Sequence, residues 1–187
     1  MIKGKRVLAI IPARRGSKRL PDKNIMKIGN RTLIEHALAT AMGSKYIDHT
    51  LISTDYFGLK YPSVLISQRP DYLSDDDSRP VDVIRYILGN NEDYDIVVWL
   101  QPTSPLRISK DIDRSLSLLE EFRIDGIHST VSVNEAGEHN GAVYTLDKDH
   151  ISEIIDSSKS LSYVMPDDRS VDIDTFDDFN KAKRMMS

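Results

Sequence analysis

Residues 6–24 read RVLAIIPARRGSKRLPDKN, and this stretch predicts a strand that runs into a basic loop. The mostly apolar run 6–11 is typical of a buried strand, and prolines punctuate the loop that follows. The loop, 11–24, contains five basic residues and one acid: Arg14, Arg15, Lys18, Arg19, Lys23 and Asp22. Because Gly16 and Ser17 stand in its middle, backbone amides and cations can point at the same anion. The stretch therefore predicts a polyphosphate site.

The composition indicates one domain with a small-molecule partner. With 187 residues, 40% of them hydrophobic, the chain is long enough to bury a single core over 1–187. A net charge of -4 argues against general binding to nucleic acid or to an anionic membrane. The absence of cysteine excludes disulfides and thiolate metal sites. Since no apolar stretch is long enough for a signal peptide or a membrane helix, we expect a cytoplasmic protein.

Short apolar runs alternate with amphipathic patterns along the chain. Patterns typical of strands lie at 6–11, 50–54, 64–67, 96–100, 128–133, 142–146 and 161–165. Patterns typical of helices lie at 33–42, 80–88, 110–121 and 175–186. This alternation implies a three-layer α/β fold with a mostly parallel central sheet. The wholly apolar run 96–100 is typical of a strand covered on both faces, so we expect it at the sheet centre.

The loop after the predicted central strand is a candidate binding segment, because ligands of such sheets bind beyond the carboxyl ends of the strands. It reads Gln101-Pro-Thr-Ser-Pro-Leu-Arg107. Its two prolines make the loop stiff enough to position Gln101 and Ser104. The alternative is a proline-rigidified turn with a purely structural role.

Two further motifs beside predicted strands are weaker signals. Arg69, followed by Pro70, comes soon after the predicted strand 64–67. Asn140-Gly141 precedes the predicted strand 142–146, and this dipeptide is first of all a hairpin turn signal.

The segment 170–175, which reads SVDIDT, predicts a pair of neighbouring carboxylates. In a strand with a side-chain period of two, Asp172 and Asp174 project to one face. Val171 and Ile173 then project to the other face. Two carboxylates on one face suit Mg²⁺, whose coordination shell is completed by water and substrate phosphates. The sequence therefore predicts a magnesium site that would be filled together with a nucleotide.

The remaining acids of this region and the histidines receive no site role. Thr175 followed by Asp178 is a helix-capping pattern, and Asp177 beside it complements the helix dipole, so both acids are expected to be structural. The five histidines show no metal-binding spacing: His36, His49, His128, His139 and His150.

Six segments taken together resemble the acylneuraminate cytidylyltransferases, or CMP-sialic acid synthetases. In chain order they are IPARRGSKRLPDKN (11–24), ISTD (52–55), RP (69–70), LQPTSPLR (100–107), NGAVY (140–144) and VDIDT (171–175). Their order and spacing match the family over nearly the whole length. The resemblance implies a Rossmann-like nucleotidyltransferase fold. It also implies an enzyme that joins CTP to the anomeric hydroxyl of a 2-keto sugar acid and releases pyrophosphate, in the synthesis of surface glycoconjugates.

The resemblance further implies roles for individual residues. Nucleotide-binding residues would be Ala13, Arg14, Gly16, Ser17, Lys18, Asn24 and, near the cytidine, Arg69. Sugar-binding residues would be Gln101, Ser104, Asn140 and Tyr144. Mg²⁺ would be held by Asp172 and Asp174, and the catalytic residues would be Arg14, Lys18 and Asp174, with Asp174 helping to activate the attacking hydroxyl. Phosphoryl-type transfer depends on positioning and charge neutralisation, so no nucleophilic side chain is required.

Two departures from the family pattern bear on the partners. Relatives carry several dozen residues between the strand at 127–133 and the Asn-Gly motif, an extension that reaches across a homodimer to the partner's sugar site. Here only 134–139 remains, which implies a monomer or a dimer through another surface. A second shortening, at 56–63, leaves room for at most about two helical turns. The alternatives are therefore a nucleotidyltransferase for another small or phosphorylated sugar, and a non-catalytic nucleotide-binding homologue.

Overall fold

The computed structural model describes residues 1–75, 77–89, 93–153 and 159–187. Its main sheet is built from seven strands: β1 (Val7–Ala13), β4 (His49–Thr54), β5 (Leu65–Gln68), β6 (Ile96–Trp99), β7 (Ser129–Val133), β8 (His139–Asp147) and β9 (Ser160–Val164). A small separate hairpin pairs β2 (Lys27–Ile28) with β3 (Arg31–Thr32). The α-helices are α1 (Leu33–Met42), α2 (Pro80–Leu88), α3 (Ser109–Phe122) and α4 (Phe176–Met185).

The strand order across the main sheet is β5-β4-β1-β6-β8-β7-β9. Neighbouring strands run parallel everywhere except at β8, which is antiparallel to both β6 and β7. The central position belongs to β6, and all four of its residues are buried. The sequence expectation of a mostly parallel sheet centred on this apolar run is therefore confirmed.

Helices cover both faces of the sheet, which gives the three predicted layers. Alternate residues of β1 belong to two different hydrophobic cores. Val7, Ala9 and Ile11 pack with α1 and α3 in the first core. Leu8 and Ile10 pack instead with the buried residues of α2. A third cluster contains Leu20, Ile28, Leu33, Val171, Ile173, Phe179 and Ala182. This cluster joins the loop after β1 to the segment before α4, so hydrophobic packing brings the two ends of the chain together.

Local signals explain where the helices begin. At the start of α1, Thr32 and Glu35 form a reciprocal capping box, with Glu35 N donating to Thr32 Oγ1 over 3.2 Å. Pro80 occupies the first turn of α2, where its missing N–H has no helical acceptor in any case. Thr175 and Asp178 cap α4 in the predicted way. In this helix Phe179 and Ala182 are buried, whereas Phe176 in the first turn is 59% exposed.

The Asn140-Gly141 prediction was also wrong, because both residues lie inside β8 and not in a turn before it. The chain reverses before Asn140, in the turn between β7 and β8, where Asn134 N donates to Glu138 O over 2.8 Å. Gly137 adopts a φ of 84° in this turn. The β7–β8 connection is therefore a tight hairpin.

Two other segments lack helices and strands. The segment 170–175, all of it described, has no regular secondary structure and pairs with no strand. Between β4 and β5, residues 56–63 form turns and loop without a helix. In the part of the chain that the structure describes, no helix has the length and apolar character needed to span a membrane.

Candidate functional site

The loop after β1 is fastened to the end of β4. Arg15 N donates a 2.6 Å hydrogen bond to Asp55 Oδ1, and Thr54 Oγ1 donates to Ala13 O over 2.6 Å. Asn24 donates its side-chain amide to Arg14 O over 2.9 Å. Asn24 is buried, and the side chain of Ala13 is fully buried as well. These two predicted nucleotide-binding residues therefore hold the loop in shape with their side-chain packing and hydrogen bonds.

The same loop forms a strongly basic cleft of about 380 Å³. Its lining consists of Arg14, Ser17, Lys18, Arg19, Lys23 and Asp174. Four cations face a single carboxylate across this space, so the cleft suits a ligand with several negative charges. Gly16 lies exposed between Arg15 and Ser17 in the same loop. The predicted polyphosphate site is thus a concave surface whose charge has the required sign.

A second cleft, of about 210 Å³, adjoins the first one. Both are lined by Arg14, Ser17 and Lys23. Beyond these shared residues the second cleft gains an apolar wall from α2 and the end of β6, including Val83 and Trp99. One end of the combined crevice is therefore charged and the other mixed in character, as the phosphates and the base of a nucleotide would require.

Arg69 is a buried cation in the wall of the second cleft. Its Nε donates to Ser53 Oγ over 2.9 Å and its Nη1 to Leu73 O over 3.4 Å. Burial lowers the pKa of Arg69 to about 10, so the guanidinium remains charged at neutral pH. Within the described residues, its Nη2 is buried and has no hydrogen-bond partner.

Trp99 lines the same cleft and was missed by the sequence analysis. Its indole Nε1 is also buried and lacks a hydrogen-bond acceptor among the described residues. The two groups are donors, so a base that presents ring nitrogen or carbonyl oxygen acceptors could pair with them. No sequence signal marked Trp99 as a site residue, because an apolar residue in a strand indicates core packing.

The paired carboxylates lie against the loop after β6. Ile173 N donates to Thr103 O over 2.8 Å, and Val171 and Ile173 are buried in the third cluster. Asp172 and Asp174 alternate with these anchors and project away from them, Asp172 half-buried and Asp174 exposed. The predicted two-residue alternation is therefore preserved although the segment is not a strand.

Two cations of the opening loop contact one of the paired carboxylates, Asp174, directly. Arg19 Nη1 lies 2.8 Å from Asp174 Oδ2, and Lys23 Nζ lies 3.1 Å from Asp174 Oδ1. Lys23 also donates to Ile173 O over 2.7 Å. The basic loop at one end of the chain and the acidic pair at the other thus form one site. The predicted site residues did not include Arg19 or Lys23, although the density of cations in the loop was the available signal.

Asp172 is a carboxylate whose charged form is disfavoured by its surroundings. Burial raises its pKa above the ordinary value of 3.8, and the negative charge of Asp174 adds to this, while a hydrogen bond from Thr103 opposes it. Its Oδ1 is buried without a hydrogen-bond partner in the described part of the chain. An orphaned carboxylate oxygen beside a second carboxylate is a donor set that fits Mg²⁺.

Gln101 lies beside these carboxylates, next to Gly141 of β8. A Cβ added at Gly141 would lie 2.8 Å from Gln101 Oε1 and 3.3 Å from Asp172 Oδ2. Burial raises the pKa of Tyr144, and the charge of Asp172 raises it further, which places this phenol in the same electrostatic environment. Gln101, Tyr144 and the acidic pair are therefore brought together.

Of the predicted sugar-binding side chains, Gln101 lines the second cleft, whereas Tyr144, Ser104 and Asn140 line neither cleft. Ser104 is fully buried and donates to Asn140 O over 3.4 Å. Asn140 Oδ1 accepts from Ser132 Oγ over 2.6 Å, and its Nδ2 donates to Ser170 Oγ over 3.0 Å. Both residues thus join the loop after β6 to β8 and to the segment before the carboxylates.

Arg107 has a similar linking role, which no sequence pattern indicated. It is buried, and its Nη1 donates to Gln101 O over 3.2 Å and to Ala142 O over 2.5 Å. Its Nε reaches Thr40 Oγ1 in α1 over 3.3 Å. Burial lowers the pKa of Arg107 to about 10. The guanidinium therefore fixes the position of the Gln101 backbone relative to β8.

The crevice is basic, lies beside two carboxylates and sits at the carboxyl ends of parallel strands in a three-layer fold. These features place the protein in the class of nucleotide-binding α/β proteins, with the site layout of a nucleotidyltransferase. A sequence model of the family described as Cytidylyltransferase matches residues 8–169. The chain belongs to this family, and the resemblance noted from its motifs is confirmed.

Individual relatives agree with this assignment. The chain is 27% identical over 216 residues to an N-acylneuraminate cytidylyltransferase of Escherichia coli O18:K1:H7, covering 95% of this chain and 51% of the relative. It is 36% identical over 114 residues to a pseudaminic acid cytidylyltransferase of Campylobacter jejuni, covering 56% of this chain and 49% of the relative. The chain thus spans about half the length of these curated relatives.

A solved structure supports the fold. The structure of a CMP:2-keto-3-deoxy-manno-octonic acid synthetase complexed with CTP superposes with a TM-score of 0.77, covering 97% of this chain and 98% of the other. Only 15% of the aligned residues are identical, so this likeness shows the Rossmann-like nucleotidyltransferase fold alone.

Proposed function

We propose that the protein is a cytidylyltransferase that transfers CMP from CTP to the anomeric hydroxyl of a sialic-acid-like 2-keto sugar acid. Contact between Arg19, Lys23 and Asp174 is the observation that carries this proposal, because it joins the basic loop to the acidic pair. A triphosphate in the basic cleft would place its phosphates beside these two carboxylates. Family membership and the names of the relatives support the chemistry.

Each group of residues has a part in the transfer. Arg14, Ser17 and Lys18 would hold the triphosphate, while Arg69 would face the base. The acceptor oxygen bonds to the α-phosphorus, the bond between the α- and β-phosphates breaks, and pyrophosphate leaves with its charge compensated by the loop cations. The proton of the attacking hydroxyl passes to Asp174 once Arg19 and Lys23 have turned to the phosphates.

Magnesium is the cofactor we propose for Asp172 and Asp174. When bound, it would neutralise charge on the phosphates and favour ionisation of the attacking hydroxyl. The orphaned oxygen of Asp172 and its raised pKa support this choice, since both features indicate a carboxylate that gains from a nearby cation. Gln101 and Tyr144 would contact the acceptor, and their closeness to Asp172 supports this role.

The acceptor is the part of the proposal with an alternative. The names of two relatives specify N-acylneuraminate and pseudaminic acid as substrates, so we include both sugar types in the proposed substrate class. The tight turn between β7 and β8 offers no arm that could reach a neighbouring site, which favours a smaller or phosphorylated sugar as the second candidate. It also favours a monomer, or a dimer through another surface, and we infer a cytoplasmic enzyme from its nucleotide substrate.

The decisive experiment measures pyrophosphate release with each nucleoside triphosphate against a panel of 2-keto sugar acids and sugar phosphates. We expect release with CTP, dependent on Mg²⁺, and with one or a few of the sialic-acid-like acceptors. Release only with a sugar phosphate would favour the second candidate. Tight binding of CTP without release for any acceptor would refute the enzymatic proposal and favour a non-catalytic homologue. Light scattering on the same sample tests the oligomeric state.

A further inference from the structure

Three side chains meet at the end of the sheet opposite the proposed active site. His128 immediately precedes β7, Asp147 is the last residue of β8, and His150 lies in the short helical segment Lys148–Glu153. Asp147 pairs with Ile96, the first residue of β6, whereas Gln101 lies two residues beyond the last residue of that strand. The cluster is therefore separated from the acidic pair by the length of β6.

The two imidazoles lie face to face. Their centroids are 3.5 Å apart and their planes differ by 3°. Both Nδ1 atoms are buried, and neither has a hydrogen-bond partner among the described residues. The Asp147 carboxylate lies 4.0 Å from Nδ1 of His150, and one potential ligand atom from each residue lies within 4.8 Å of the others.

Buried ring nitrogens without partners are costly, and a shared ligand would remove that cost. We propose that His128, Asp147 and His150 form a binding site for a divalent transition-metal ion of the Zn²⁺ class. Imidazole nitrogens with one carboxylate suit Zn²⁺ and its neighbours, whereas Mg²⁺ prefers oxygen ligands. The site thus differs in metal preference from the proposed magnesium pair, and it does not depend on the proposed function.

Binding requires a small movement of the rings. Parallel imidazoles direct their nitrogen lone pairs side by side, so one ring must tilt for both to reach the same ion. His150 can do so, because its backbone departs from helical geometry, with φ of -120° and ψ of 25°, and its side chain is 33% exposed. Water would complete the coordination shell on that exposed side.

Neighbouring charges orient the carboxylate. Arg123 Nη1 lies 2.6 Å from Asp147 Oδ2, and Arg123 Nε lies 3.0 Å from Glu120 Oε1, which also pairs with Lys5. Such outer partners of a ligand carboxylate fix its position at metal sites. The guanidinium also repels a metal ion, so we expect reversible binding and not a permanently loaded structural site.

Calorimetric titration of the full chain with Zn²⁺ tests the site. The double substitution Asp172→Asn with Asp174→Asn provides the background, because it removes the other carboxylate site. We expect one saturable Zn²⁺ site per chain. His128→Gln with His150→Gln should weaken binding by more than about tenfold, a cost that even changes in the outer shell can cause. His139→Gln is the matched control, since that exposed histidine lies at the other end of β8.

Visible absorption with Co²⁺ in place of Zn²⁺ gives a second readout, which needs no substitution of His128 or His150. Nitrogen coordination should produce d–d bands that Zn²⁺ abolishes by competition, in both the parent chain and His139→Gln. Unchanged Zn²⁺ affinity in the double histidine variant, or no saturable binding and no such bands in the parent, would overturn the proposal.

Discussion

Replacing Gly141 with alanine should damage the site more than it damages the fold. Gly141 has a φ of 69°, a conformation that costs an alanine roughly 1–2 kcal/mol. The new Cβ would lie 2.8 Å from Gln101 Oε1, so this side chain must move. It would also lie 3.3 Å from Asp172 Oδ2, which is tighter than ordinary contact. Both displaced groups belong to the proposed acceptor and metal side of the crevice.

The stability effect follows from the backbone strain. A loss of about 1–2 kcal/mol in a chain of this length lowers the melting temperature by about 2–8 °C. The kinetic effect should be larger, because misplacing reacting groups by about 1 Å can cost a factor of about one hundred. We therefore expect kcat/KM for pyrophosphate release from CTP to fall about tenfold to one hundredfold. Thermal unfolding and the release assay would be run on the same preparation.

Gly137→Ala is the matched control for this substitution. Gly137 has a φ of 84° in the turn between β7 and β8, and a Cβ there would meet no atom within 4 Å. The two variants should therefore lose similar stability, while Gly137→Ala keeps its activity. Equal activity of the two variants would refute the reasoning that Gly141 provides space for Gln101 and Asp172.

Three further substitutions test other parts of the site. Asp174→Asn should remove Mg²⁺-dependent pyrophosphate release and change the free energy of unfolding by less than about 1 kcal/mol, because the Asp174 side chain is 51% exposed and Lys23 keeps its hydrogen bond to Ile173 O. Asp177→Asn, next to the cap of α4, should leave release intact. The pKa of Asp172 is raised in the folded protein, so between 3.8 and that raised pKa the folded protein binds more protons than the unfolded chain. The free energy of unfolding therefore falls as the pH rises through this range. Without nucleotide or divalent ions, Asp172→Asn should remove that fall and melt higher than the parent near neutral pH, although it should be inactive; a lower melting temperature would contradict this. Arg107→Met should destabilise the fold by about 2–4 kcal/mol in denaturant unfolding, because the buried carbonyls that it serves lose their donor; a change below about 1 kcal/mol would contradict its linking role.

The bounds of α1 and α2 could be predicted to the residue because their start signals are local. Thr32 with Glu35 caps one helix, and Pro80 starts the other. Short apolar runs located the other strands of the main sheet to within two residues at each end, whereas β8 begins at His139, three residues before the predicted strand 142–146. The path of 170–175 required tertiary information, because Val171 and Ile173 are anchored by packing against Leu20 and Phe179 and not by strand pairing.

The basic loop and the carboxylates were predictable as chemistry but not as contacts. Lys18 and Arg14 stood out by charge, whereas the partners of Arg19 and Lys23 lie about 150 residues away along the chain. No local rule can predict such a pair. The predicted sugar-binding roles of Ser104 and Asn140 remain predictions, and their burial indicates that any influence on the acceptor passes through the loop that they hold.

The position of β8 explains why Asn140-Gly141 is both the least predictable motif and one of the closest to the site. A strand antiparallel to β6 must begin where β6 ends, so its first residues lie beside Gln101. There the pairing with β7 is irregular, and side chains replace strand hydrogen bonds, since Asn140 Oδ1 accepts from Ala142 N and Ser132 Oγ accepts from Val143 N. These contacts stabilise a positive φ at Gly141 without a chain reversal. Asn-Gly indicates a turn when it is considered in isolation. In this sheet it places Gly141, which has no side chain, at the junction of the parallel and antiparallel parts, where Gln101 and Asp172 need the space.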